Sequence, residues 1–206
     1  AKMATLSTKH MVGAVIAAVA VVFIATKCGD AYTFGIRTSD WDDSADGSPL
    51  STLNGAIVEL KHVSSRCDDG VSDGLMARVG SDIEFPGESV VEIEPPCVNG
   101  RAVQLDVDVE GRSIVYDFCN VEGAGRFPEA EFEGFVVTDA FHLVAPIRGV
   151  TIDRDKSTMN MSDAAISFDE HTVRVNLAGL EYDDTCRVKL DLVLETDPET
   201  TELKES

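Results

Sequence analysis

Basic residues are the first scarcity in this chain. Seventeen Lys and Arg stand against 37 Asp and Glu over 206 residues, a formal net charge of −20. A nucleic-acid binder needs a basic face to displace phosphate counterions, so no nucleic-acid partner is expected. Aromatics make up only 6% with a single Trp, while 16 Gly and 7 Pro point to many turns. No GxSxG, HExxH, GxxxxGK[ST] or GxGxxG occurs, so no nucleophile elbow, zincin helix or phosphate-cradling loop is written in the sequence. CxxC is absent, as is any Cys/His cluster with zinc spacing, which argues against a metal knuckle. The lack of CxxCH excludes covalent c-type haem as far as that motif goes. No cofactor is expected, and the chain is not read as an enzyme. Disorder is excluded for the bulk of the chain, because 44% of it is hydrophobic and patterned.

Acid is missing altogether from the first 27 residues, which hold Lys2, Lys9 and Lys27. Residues 28–206 therefore carry 14 basic and 37 acidic side chains, a formal charge of −23. Such a surface is soluble and self-repelling, and anionic lipid headgroups hold it off.

Between Lys9 and Lys27 lies HMVGAVIAAVAVVFIAT, 17 residues without a formal charge at neutral pH. As a helix it is roughly 25 Å long, slightly short of a hydrocarbon core of about 30 Å. Snorkelling by the flanking lysines covers the deficit. A buried core helix is normally amphipathic, whereas this run is apolar all round. Phe23-Ile24-Ala25 and Ala25-Thr26-Lys27 make poor signal-peptidase sites. An uncleaved signal-anchor over residues 10–27 is therefore predicted, including His10, Met11, Gly13, Ala17, Phe23 and Thr26. Gly13-x-x-x-Ala17 and Ala14-x-x-x-Ala18 offer close-approach faces for neighbouring spans. The short arm, residues 1–9, is placed in the cytoplasm, and the rest in the periplasm or outside the cell.

Five cysteines occur: Cys28, Cys67, Cys97, Cys119 and Cys186. Cys28 follows the span directly. The other four allow two disulfides in an exported domain, in three possible pairings. Cys67 and Cys97 lie in turn-like surroundings (SSRCDDG and EPPCVNG) and are the preferred pair. Cys119 and Cys186 lie in strand-like segments, where they either pair or stay as buried thiols.

Beyond Asp30 the pattern changes to alternation. VQLDVDVE (103–110) sets Val103, Leu105, Val107 and Val109 against Gln104, Asp106, Asp108 and Glu110. SIVYDF (113–118), TVRVNLA (172–178) and VKLDLVL (188–194) alternate likewise, the mark of antiparallel sheets with one wet face. The first two, joined by Gly111-Arg112, predict a tight hairpin. Further strands are predicted at 56–62, 88–94, 132–138, 147–152 and 166–169. No long 3.6-residue period occurs in this part, which disfavours an α/β fold.

The predicted fold is all-β: an antiparallel β-sandwich, immunoglobulin-like or jelly-roll, preceded by one transmembrane helix. The predicted order is arm 1–9, anchor 10–27, polar linker 28–55 with Trp41, acidic sandwich 56–194 and acidic tail 195–206. Alternating Asp40, Asp42 and Asp46 in SDWDDSADG are weak calcium candidates, since no EF-hand frame fits them, and Asp68, Asp69 and Asp73 pose the same question. His10 sits at the membrane edge. His62, His142 and His171 are far apart in sequence, and a chance meeting of His142 with Ser and Asp is easily imagined among 37 acids.

A hydrophobic helix before a β-domain is similar in outline to type IV pilins, which carry Glu five residues into the mature chain. Here Thr5 holds that place and the first acid is Asp30, so the resemblance is not taken up. The functional expectation is a non-catalytic accessory or structural subunit of a larger membrane complex, bioenergetic (photosynthetic or respiratory), secretory or envelope-forming. Its partners would be the lipid bilayer and integral-membrane subunits, met through the helix and the β-domain. Two alternatives are a pilin-like or virion subunit with the helix in an assembly core, and a surface calcium- or ligand-binding module.

Overall fold

A computed structural model describes residues 48–66, 70–93 and 103–195. The predicted arm, anchor and Cys28, the calcium candidates Asp40, Asp42 and Asp46, and Trp41 lie outside these residues. So do Cys67, Asp68, Asp69, Cys97 and the tail beyond Glu195. Among the described residues no helix is long and apolar enough to cross a membrane.

Eleven strands form among the described residues: β1 (Ile57–Ser64), β2 (Leu75–Arg78), β3 (Asp106–Glu110), β4 (Ser113–Asp117), β5 (Gly125–Arg126), β6 (Glu133–Asp139), β7 (Ile147–Ile152), β8 (Ile166–Phe168), β9 (Thr172–Asn176), β10 (Glu181–Tyr182) and β11 (Arg187–Leu194). One sheet runs β2-β1-β6-β9-β8, a second β3-β4-β11-β7, and β10 pairs with β5 in a small ladder. Every named strand pair is antiparallel. The all-β expectation holds, with the two larger sheets stacked in a sandwich-like arrangement.

Period-two patterning explains the core. On β1, Val58 and Leu60 point inward; Phe135 and Val137 do so on β6, and Val173 and Val175 on β9. The second sheet answers with Val107, Val109, Ile114, Tyr116, Val188, Leu190, Leu192 and Leu194, all in the same buried cluster. Contact across the layers is direct, since the rings of Tyr116 and Phe135 lie 6.2 Å apart.

The predicted hairpin forms with Glu110 opposite Ser113, leaving Gly111 and Arg112 as the loop. Gly111 takes φ +52°, the left-handed region that a tight turn demands and glycine enters without a Cβ penalty. Packing also reaches back into the predicted linker: Leu53 is buried in the core, and Leu50 bridges to Val144.

Two expectations need correcting. The strand predicted at 88–94 is instead one helical turn, α1 (Gly87–Val90), continued as a 3₁₀ turn over Val91–Ile93. Pro86 opens it, accepting bonds from the N–H groups of Ser89 and Val90, and the buried side chains Val90 and Ile93 recur at three-residue spacing. The polar side of β3 is also not wet along its length. Phe85 pairs with Val107, and Asp106 is buried with one oxygen accepting the Gly87 N–H at 2.6 Å. The segment preceding α1 thus covers this sheet edge.

Candidate functional site

Strand β6 turns four side chains into the sandwich: Glu133, Phe135, Val137 and Asp139. A carboxylate therefore stands at each end of an otherwise apolar row. Their direct neighbours on β1 are Ser64, His62, Leu60 and Val58. The alternation that sends Val58 and Leu60 into the core also sends His62 and Ser64 there. Histidines meet the acids at both ends.

At the Glu133 end, His62 Nε2 lies 2.9 Å from Oε1, and the Ser64 hydroxyl donates to Oε2 at 2.5 Å. The imidazole stacks on Phe135 with 4.9 Å between centroids. Burial lowers the His62 pKa, and the attraction of Glu133 only partly opposes this. Neutral His62 donates from Nε2, so each carboxylate oxygen has a donor. This is not a nucleophile site. Activation of Ser64 requires its hydroxyl to bond the imidazole, whereas here the carboxylate separates the two.

At the opposite end, Asp139 Oδ2 accepts the Val144 N–H at 2.8 Å, while Oδ1 is buried without a partner. His171 Nδ1 is likewise buried without a partner, 4.0 Å from Oδ2. His171 stacks on His142, with centroids 4.0 Å apart and planes within 3°. Asp139, His171, Glu170 and apolar side chains from both sheets line a cavity of about 10 Å³, the size of one water. The imagined meeting of His142 with Ser and Asp is thus realised only in part. His142 reaches His171 above Asp139, and among the described residues no hydroxyl or thiol is bonded to either ring.

The loop carrying His142 is apolar at its tip. Phe141 is 58% exposed and Leu143 45%, while His142 between them adopts φ +55°. That left-handed conformation is unusual for a residue with a Cβ, and here it accompanies the stack of the exposed imidazole on His171.

A third cluster lies on β3. Glu84 accepts the N–H groups of Gly80 and Val109 at 2.8 and 2.7 Å. Burial, which outweighs those bonds, pushes its pKa up to about 7. Asp108, close by, is also raised, mainly by burial and by the charge of Glu110. Asp106 is raised by burial too, against bonds from Gly87 and Asn120.

Cys119 and Cys186 lie in turns rather than within strands. Cys186 carries a free thiol that accepts the Asp183 N–H at 3.4 Å, and Cys119 Sγ is 4.0 Å from Asp106 Oδ2. Asp73 is exposed ahead of β2. Among the described residues, no group of three or more His, Cys, Asp or Glu is placed to hold a metal ion. The sequence reading did not single out Ser64, Glu133, Asp139 or Glu84. The signal for the first three was their parity with Val58, Leu60, Phe135 and Val137, which marks polar residues on a core face. Comparison of the chain with protein-family models, curated proteins and solved structures finds no match.

Proposed function

We propose that this chain is a bitopic membrane protein whose cytoplasmic N-terminus precedes a single span and an exported, acidic β-sandwich. It serves as a non-catalytic accessory or structural subunit of a larger membrane complex. The observation that carries the reading is the uncharged 17-residue run, beyond which all 37 acidic residues of the chain lie. A helix apolar on all sides is stable against lipid and neighbouring spans, not against water. The domain's chemistry supports a non-catalytic role: Ser64 is bonded to a carboxylate, and among the described residues no hydroxyl or thiol is bonded to the His142–His171 pair. Export also places Cys67 and Cys97 where a disulfide would persist.

Alkaline carbonate washing of membranes, followed by mild-detergent extraction, tests this. The full-length chain is expected to stay with the membrane pellet and then to extract as a discrete particle with other integral-membrane chains. Release into the carbonate supernatant overturns the membrane reading. Detergent-resistant polymers overturn the accessory-subunit reading in favour of a filament.

A further inference from the structure

The loop joining β6 to β7, Ala140–Pro146, reads AFHLVAP and contains no Asp, Glu, Lys or Arg in a chain of net charge −20. Its two most prominent side chains, Phe141 and Leu143, are large, apolar and exposed. Isolated exposed apolar residues are ordinary on protein surfaces, but these two are displayed by a backbone that pays strain to do so. His142, at φ +55°, donates its N–H to the Asp139 carbonyl at 3.3 Å and tucks its ring against His171. An observed strained residue on a loop is a pointer to function.

The described chain begins beside this tip. Leu50, close to where the described residues begin, donates its N–H to the Leu143 carbonyl at 2.8 Å, and its carbonyl accepts the Ala145 N–H at 2.9 Å. The segment with which the described residues begin thus lies alongside this loop. Only 21 residues, 27–47, separate Thr26 from Ser48. Around the loop the charges come largely in opposite pairs: Arg148 with Glu170 and Glu195, Arg174 with Asp169. An uncharged, apolar point lets an acidic body approach a bilayer without bringing like charges to its headgroups.

We propose that the β6–β7 tip rests in the interface of the bilayer, with Phe141 and Leu143 at the level of the upper acyl chains and the His142 ring between them held by its stack on His171. The proposal relies on the N-terminal run being a membrane span, and it adds the orientation of the sandwich on that membrane. Aromatic and branched apolar side chains favour this depth.

The test uses the full-length chain in phosphatidylcholine vesicles carrying acyl-chain bromine as a quencher. In a Trp41→Phe background, Phe141→Trp is compared with Val71→Trp. Val71 is 57% exposed and bridges to Val63, near the far end of β1 from the loop. Both positions are solvent-facing, so each tolerates the larger ring, and circular dichroism checks the fold. The Phe141→Trp protein is expected to show a blue-shifted emission and to lose about half of it to the quencher, as an interfacial ring does, while Val71→Trp loses little. Equal, weak quenching at both positions in protein that remains in the vesicles after carbonate washing overturns the tip proposal and leaves the span intact. A blue shift that depends on protein concentration without bromine quenching assigns the tip to a second copy and also overturns the proposal. Carbonate release of the chain overturns the span and, with it, the proposal.

Discussion

Replacing Glu133 with Ala separates a structural role for the Ser64–His62–Glu133 cluster from no role at all. The carboxylate is 1% exposed and accepts from two side chains, His62 at 2.9 Å and Ser64 at 2.5 Å. Removing it takes away the acceptor that the two donors share, at a cost of about 1–3 kcal/mol for each buried group that loses its bond. His62 retains 12% of its side-chain surface and can turn to water, whereas Ser64, 2% exposed, cannot. The expected loss is therefore about 2–4 kcal/mol, a large share of a typical domain's stability. Glu133→Gln keeps one acceptor and lets the Ser64 hydroxyl reverse to accept from the new amide, so it should lose only about 1 kcal/mol. The triple variant His62→Phe, Ser64→Ala, Glu133→Leu removes donors and acceptor together and should lie within about 1.5 kcal/mol of the natural protein. Urea unfolding of the full chain in mild detergent at pH 7, followed by circular dichroism, reads all three from midpoints at constant slope. A Glu133→Ala loss below about 1 kcal/mol, or a triple variant worse than Glu133→Ala alone, refutes the reasoning.

Two further outcomes follow from the same geometry. Glu84 is held in the fold with its pKa raised from 4.5 to about 7, so the native state binds a proton that the unfolded chain has already released. Stability from this group is fully present below pH 4.5 and is lost as pH rises through 7; at about 1.4 kcal/mol per unit the limit is near 3.5 kcal/mol, reduced by its half-exposure to about 1–2 kcal/mol. Urea midpoints should therefore fall between pH 5 and pH 8, and Glu84→Gln should flatten that slope; an unchanged slope counts against the assignment. Gly111→Val places a branched side chain at φ +52° in the two-residue hairpin and should cost about 1–2 kcal/mol, with Gly111→Asn costing less. Equal stability of the two variants in thermal unfolding counts against the strain argument.

The strands with four or more alternating residues were legible because burial on one face of a sheet forces a period of two on the sequence. Ile147–Ile152 has the predicted bounds, and β3, β4, β6, β9 and β11 fall on predicted runs. Strands β5 and β10, two residues each, and β2, four residues, are too short to show any period and form because partners lie ready beside them. At residues 87–93 apolar residues at 90, 91 and 93 fit either an irregular strand or a helical turn, and Pro86 decides for the turn.

The site was harder to read for a related reason. Parity tells which side of a strand a residue faces, yet it is silent on which residues face one another across strands separated by tens of positions. Glu133 meets Ser64 across 69 positions and His171 approaches Asp139 across 32, pairings fixed by register alone. Register itself is selected by the apolar residues between the two acids, since Leu60 must meet Val137 and Phe135 must meet Val175. The polar groups are thus carried into place by hydrophobic neighbours that have no part in their chemistry. This is why an absence of motifs in the sequence coexists with three organised polar clusters in the fold. It also explains why the exposure of Phe141 and Leu143 shows only in three dimensions: parity within strands says nothing of a loop that stands beside the segment carrying Leu50.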